Sequence, residues 1–138
     1  MRLDNLTIKS REAIKSAHVL CEKAQHGNVS SLHLLKSLAT QDGVARSIFE
    51  RLGIKASQVM QTCDLALEKY PRSYGGQLTI SNELAAVFDE AQSIAVQMKD
   101  DYVSVEHFLL AMAAKDCEAR SVLHQLGLKH EDILNALI

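Results

Sequence analysis

The sequence predicts an all-α fold: two pseudo-symmetric four-helix repeats forming one compact eight-helix domain. Three observations predict it. One proline and six glycines in 138 residues leave little to interrupt helices. Apolar residues recur at helical spacing, and no stretch sustains an alternation of β-branched residues, so no sheet is expected. Residues 7–64 and 81–138 also align at a constant offset of 74 without a gap. Of 58 aligned pairs 13 are identical, against about four expected from composition, which marks an internal duplication.

Each element follows from local chemistry. In the first helix Ile8, Ala13, Ile14, Ala17, Leu20 and Ala24 fall at helical spacing. Thr7 can cap it, and His26-Gly27-Asn28 ends it. Ser30 reads as the N-cap of a second helix carrying Leu34, Leu35 and Leu38. Val29 before the cap and Leu34 at the fourth helical position form a hydrophobic staple, repeated by Val103, Ser104 and Phe108. A third helix runs from about Val44 to Leu52, with Gly53 supplying the left-handed position and Ile54 folding back; Gly127-Leu128 repeats this. A fourth helix, about Ser57 to Lys69, carries Val59, Met60, Cys63 and Leu67 on one face. Tyr70-Pro71-Arg72-Ser73-Tyr74-Gly75-Gly76-Gln77 then breaks the helix and links the halves. Four further helices are expected at about 81–98, 104–114, 118–126 and 130–138. The domain thus divides into repeat one (about 7–69), a linker (about 70–80) and repeat two (about 81–138).

Composition narrows the function. The formal charge is −2 and Lys and Arg are scattered among Asp and Glu, so no basic stripe marks nucleic-acid binding. Apolar runs fall far short of the ~20 residues that span a bilayer, and the opening MRLDNLTIKS has no apolar signal core. No membrane role is expected. Three cysteines without a close pair fit a reducing compartment, and a cytoplasmic location is expected.

Catalytic and cofactor patterns are lacking. Gly75-Gly76 are not followed by the Lys and hydroxyl residue of a phosphate-binding loop. The six histidines form no H-x-x-x-H pair and there is no C-x-x-C, so no metal is expected and no cofactor is implied. His33 and His107 recur at one repeat position and read as packed core residues. Cys21, Cys63 and Cys117 align with Ala95, Leu137 and Gly43 and read as fillers of small apolar slots, not nucleophiles. Asp42 with Arg46 and Asp116 with Arg120 stand at i, i+4 and suggest a recurring structural bridge.

The order of these motifs resembles the N-terminal domain of Clp ATPases, a double Clp repeat. Lys99-Asp100-Asp101-Tyr102-Val103-Ser104-Val105-Glu106-His107-Phe108-Leu109-Leu110 is similar to that family's second-repeat signature. Arg2-Leu3-Asp4-Asn5-Leu6-Thr7, and Ala66-Leu67-Glu68-Lys69-Tyr70-Pro71 leading to Leu78-Thr79-Ile80-Ser81, resemble the ClpB disaggregase branch. The resemblance covers the whole chain.

The resemblance implies a non-catalytic module at the entrance of a hexameric, ATP-driven ring. It would engage unfolded or aggregated polypeptide at a groove between the repeats and pass it to the pore. An adaptor-docking module is the alternative. The isolated domain is expected to be a monomer, with a hexamer only when the ATPase modules are attached. Carried over by motif, the polypeptide-binding residues are Thr7, Asp100 and Glu106 at the rim and Ile94 in the groove. His107 and Glu90 depart from the apolar residues of the pattern. The ClpC branch reads phosphorylated arginine through acidic residues in both repeats; Leu32 here cannot pair with a guanidinium, so only Glu106 fits. The fold is symmetric, but the expected binding surface is not.

Overall fold

A computed structural model describes residues 3–138. Arg2, which opens the first of the two ClpB-like motifs, lies outside the described residues. A 3-10 turn at Leu3–Asn5 leads into α1 (Ile8–Lys23), and a two-residue strand β1 (Asn28–Val29) into α2 (Ser31–Thr40). Helices α3 (Val44–Arg51) and α4 (Ala56–Leu67) complete the first repeat. After the linker, β2 (Thr79–Ile80) precedes α5 (Asn82–Gln97), α6 (Val105–Ala114), α7 (Glu118–Gln125) and α8 (His130–Ala136). All eight helices stand within a few residues of their predicted bounds.

The caps explain this agreement. Thr7 Oγ1 accepts the Ser10 amide at 3.2 Å and Ser81 Oγ accepts the Leu84 amide at 3.2 Å. The Gly turns are Schellman motifs. Gly53 and Gly127 take φ of +78° and +79°, and the next amides, Ile54 and Leu128, return to the Phe49 and Leu123 carbonyls at 2.9 and 2.7 Å. Helices α1 and α5 end the same way without glycine: Gln25 (φ +60°) and Lys99 (φ +61°) hold the left-handed position. The His26 and Asp100 amides then close onto the Cys21 and Ala95 carbonyls. Neither Gln nor Lys favours that conformation by itself. Tertiary contacts impose it, because the side chains of His26 and Asp100 bond to His33 on α2 and His107 on α6.

Helices α2 and α6 form the centre, and nearly every residue of both is buried. On α2 pack α1 and α4, and on α6 pack α5, α7 and α8. Across the seam α3 meets α6 while α7 meets α2, and α3 meets α8 while α7 meets α4. These pairs map onto one another under the 74-residue offset, so the structure carries the pseudo-two-fold that the duplication implies. Phe49, Phe108, Leu109 and Leu123 are among the large side chains sealed in this shared core. Phe88 and Phe108 meet edge-to-face at 5.8 Å between α5 and α6.

The expectation of no sheet requires correction. Asn28–Val29 pairs in parallel with Thr79–Ile80, and Leu6 bridges Val103 in parallel. Leu6 and Ile80 are equivalent positions, as are Val29 and Val103. Each repeat therefore lends the residues before its first helix to the loop after the other's first helix. Pairings of one or two residues leave no alternation to read. Ile8 also departs from expectation: it is 75% exposed, because it begins α1 outside the turns that face α2.

Candidate functional site

The two crossings are built from equivalent backbone but different side chains. At the first, the Thr7 amide donates to the Val103 carbonyl at 3.1 Å, and the Val103 amide to the Asn5 carbonyl at 2.7 Å. Ser10, fully buried, donates Oγ–H to the same Val103 carbonyl at 2.9 Å. Thr7 Oγ1 donates to Ser10 Oγ at 2.9 Å. Thr7 is therefore both the cap of α1 and part of the crossing.

Asp100 and Glu106 stand on the same second-repeat segment. The Ser104 amide donates to His107 Nδ1 at 2.8 Å, in a capping box that uses His at the third helical position. That acceptor role places the neutral imidazole's proton on Nε2, which donates to Asp100 Oδ2 at 2.8 Å. Asp100 is half exposed and thus pinned by a buried histidine. Glu106 is half-buried in the first turn of α6, where the helix dipole favours a carboxylate. Thr7 bonds directly to Val103, and Asp100 is tied through His107 to Ser104, the next residue; Glu106 follows in the first turn of α6 without a side-chain bond to either. Ile94 is separate in character: it is 7% exposed and belongs to the core beneath α5.

Exposed apolar residues are harder to read from sequence. Ile8 and Tyr102 (56% exposed) lie within two residues of the Leu6–Val103 bridge, and Val96 (68%) and Met98 (42%) lie at the end of α5. Their equivalents in the other half are Asn82, Asn28, Glu22 and Ala24. For Ile8, Tyr102 and Val96 that apolar-for-polar asymmetry at the 74-residue offset is the signal that could have found them; Met98, opposite Ala24, carries no such signal.

The second crossing is a polar lock. The Glu83 carboxylate accepts the Ser31 amide at 2.8 Å, the Ser31 hydroxyl, the Ser81 hydroxyl at 2.6 Å and the Glu118 amide at 3.0 Å. Ser31 Oγ in turn accepts the Ala119 amide at 2.9 Å. One carboxylate thus sits at the N-termini of α2, α5 and α7. Its repeat-one equivalent is Lys9, so this lock exists at one crossing only.

His33 reproduces the capping box in repeat one, its Nδ1 accepting the Ser30 amide at 2.9 Å. Its Nε2 meets His26 Nδ1 at 2.9 Å, where repeat two has Asp100. Both rings pack against Tyr70, at 5.1 and 5.9 Å between centroids. The Tyr70 hydroxyl donates to Glu118, a carboxyl that burial pushes up. Burial and the Arg72 charge push His26 down, and burial with the His26 and Lys36 charges pushes His33 down to about 4.

The recurring Asp–Arg bridge forms in one half. Arg120 reaches Asp116 at 3.3 Å, whereas Arg46 donates to the Thr40 carbonyl at 3.2 Å. All three cysteines are buried free thiols; Cys21 and Cys117 donate to the His26 and Met112 carbonyls at 3.3 Å. Burial raises each thiol, Cys63 to about 12, which suppresses the nucleophilic thiolate. Among the described residues no group of three or more His, Cys, Asp or Glu side chains could hold a metal ion. Among the same residues no helix is long and apolar enough to cross a membrane.

A sequence profile of the Clp repeat (R) N-terminal domain matches residues 5–126. The chain belongs to this family. The chaperone protein ClpB of Porphyromonas gingivalis is 32% identical over 138 residues, covering 99% of this chain and 16% of that protein. ClpB of Bacillus cereus is 31% identical, covering all of this chain and 17% of that protein. The chain thus spans about one-sixth of the length of these curated relatives. Among solved structures, the Hsp104 N-terminal domain from Candida albicans superposes with a TM-score of 0.82 at 21% identity, over 96% of this chain and 88% of that one. A ClpV N-domain in complex with a VipB peptide superposes with a TM-score of 0.77 at 20% identity, over 96% and 89%. These likenesses confirm the double-repeat fold of a Clp N-terminal domain.

Proposed function

We propose that this Clp N-terminal domain recruits unfolded or aggregated polypeptide for a ClpB-type disaggregase. The binding surface is centred on the Leu6–Val103 crossing. Thr7, Asp100 and Glu106 form its polar rim, Ile8 and Tyr102 supply exposed apolar contacts, and Ile94 supports it from the core. The polypeptide then passes to an ATP-driven pore outside this segment, in a cytoplasmic hexamer. The supporting observation is the asymmetry of the crossings: two exposed apolar side chains, Ile8 and Tyr102, with an acidic rim at one, and a single exposed apolar residue, Ile80, among asparagines and a satisfied carboxylate at the other. Exposed apolar surface with a polar rim is the ordinary chemistry of a protein-binding site.

Affinity for one domain is weak, because a disordered chain loses conformational freedom on binding. Six domains on a ring compensate through avidity. Fluorescence anisotropy with a reduced, carboxymethylated polypeptide tests the reading. The double variant Ile8→Asn with Tyr102→Asn makes the first crossing resemble the second. It is expected to weaken binding about tenfold or more, since each apolar side chain lost from an interface removes about 1 kcal/mol or more. Unchanged affinity would remove this surface from consideration.

A second reading is favoured by one observation. The complex of a ClpV N-domain with a VipB peptide concerns a defined peptide, which suits docking of a specific adaptor or cargo protein. A folded partner binding stoichiometrically to the same Ile8–Tyr102 surface, with no response to unfolded polypeptide, would select that reading.

A further inference from the structure

Repeat one contains the image of the Asp100–His107 part of the proposed rim, with histidine in place of the aspartate. A cavity of about 510 Å³ lies between α1, α2, α4 and the start of the linker. Its lining includes Leu20, His26 and His33, the equivalents of Ile94, Asp100 and His107. Where the second repeat presents the Asp100 carboxylate, this cavity presents the His26 imidazole; Lys36, Asp64, Glu68 and Arg72 are the charged residues of its lining.

The contacts fix the proton positions. His33 Nδ1 accepts the Ser30 amide, so its proton lies on Nε2 and points to His26 Nδ1. His26 therefore carries its own proton on Nε2. His26 is 8% exposed, lines the cavity, and its Nε2 has no partner among the described residues. Arg72 lines the same cavity, is exposed, and acts on His26 through its charge. Lys36, by contrast, is committed to Asp64 at 2.7 Å. Leu20, Ala24, Leu67 and the Tyr70 ring supply apolar wall, and Glu68 on the rim disfavours a ligand with more than one negative charge.

We propose that this cavity binds the C-terminal carboxylate of a polypeptide ending in an aliphatic residue. The carboxylate lies between His26 Nε2–H and the Arg72 guanidinium, and the last side chain lies on Leu20, Leu67 and Tyr70. A chain terminus fits better than an Asp or Glu side chain, because only there does one carbon carry both the carboxylate and an aliphatic group. The volume is in the usual range of ligand pockets. The site is independent of the Leu6–Val103 surface.

The test is an NMR titration of the protein with acetyl-Gly-Gly-Leu as the free acid and as the C-terminal amide. The free acid is expected to shift the His26 imidazole and the Leu67 and Arg72 signals, and to bind at least tenfold more tightly than the amide. His26→Asp keeps an acceptor for His33, as Asp100 does for His107, and places a negative charge in the site. That variant and Arg72→Gln are each expected to lose about tenfold in affinity while the rest of the spectrum stays folded. Equal binding of acid and amide, shifts confined to other surfaces, or no shift at millimolar peptide would overturn the proposal. Hexanoate binding as tightly as the peptide would overturn its assignment to a polypeptide terminus.

Discussion

Glu83 offers the sharpest prediction about how the two repeats are joined. Its carboxylate takes four donors, two of them backbone amides at the first turns of α2 and α7. Glu83→Ala leaves the Ser31 and Glu118 amides and the Ser31 hydroxyl without this partner. Hydrogen bonds to a charged group contribute about 1.5–3 kcal/mol each, but water can reach a half-buried site and re-satisfy part of the loss. Losing the negative charge at three helix N-termini adds about 0.5–1 kcal/mol. The expected cost is about 3 kcal/mol, which is about 10 °C in Tm for a domain of this size. Urea unfolding followed by circular dichroism should show a lower midpoint with an unchanged slope. Glu83→Gln should be nearly as costly, because its amide turns a donor toward donors. Lys9→Ala, at the equivalent position of the other crossing, should stay within about 0.5 kcal/mol. If Glu83→Ala also stayed within that margin, the carboxylate would not be what locks the seam.

The remaining predictions concern acid, turns and thiols. The folded protein holds His33 near 4, against an ordinary value of 6.5, so the unfolded chain binds the extra proton first. The His33 contribution is complete above about pH 6.5 and is lost as pH falls toward 4, for a total of about 3 kcal/mol. His33→Gln keeps a capping-box side chain but cannot titrate, so urea midpoints measured from pH 7 to 4 should fall less steeply; an identical pH profile would contradict the assignment. Gly53→Ala and Gly127→Ala place a Cβ at φ of +78° and +79° and should each destabilise by about 1 kcal/mol, seen as a lower urea midpoint. Cys21, Cys63 and Cys117 should react with a thiol reagent only after denaturation; rapid labelling of the native protein would contradict their burial.

Much of the fold is legible because its signals are local. Ser30, Gly53 and Gly127 act within one helical turn, and each does in the structure what its position implies; Ser104 holds the N-cap position of α6 through its amide's hydrogen bond to His107 and not through its hydroxyl. The crossings are not legible, since Leu6–Val103 and Val29–Ile80 depend on contacts between halves and are too short to pattern. Gln25 and Lys99 conceal their left-handed turns because neither residue advertises that conformation. Glu83 reads locally as an acidic residue in a first turn; only the packed seam shows that it serves three helices.

The candidate site is legible in part. Thr7, Asp100 and Glu106 come from motif order; hydrogen bonds tie Thr7 to Val103 and Asp100 through His107 to Ser104, while Glu106 is placed only by its position on α6. Ile94 is a core residue, and Ile8, a core position by periodicity, is exposed. Periodicity assigns a face to a helix but does not say where the partner helix begins, so it misplaces the first residue of α1. The histidines His33 and His107 are buried, as packed core residues should be, but they also cap α2 and α6. A Ser-x-x-His spacing signals that role only once imidazole is counted as an acceptor.

The most direct measurement of the central claim is an amide chemical-shift map with an unfolded polypeptide at rising concentration. Binding at the first crossing predicts shifts at Thr7, Ile8, Asp100, Tyr102 and Glu106, a smaller response at Ile94, and little change at Asn28 and Asn82. Shifts centred on Asn28 and Asn82, or none at millimolar polypeptide, would contradict it.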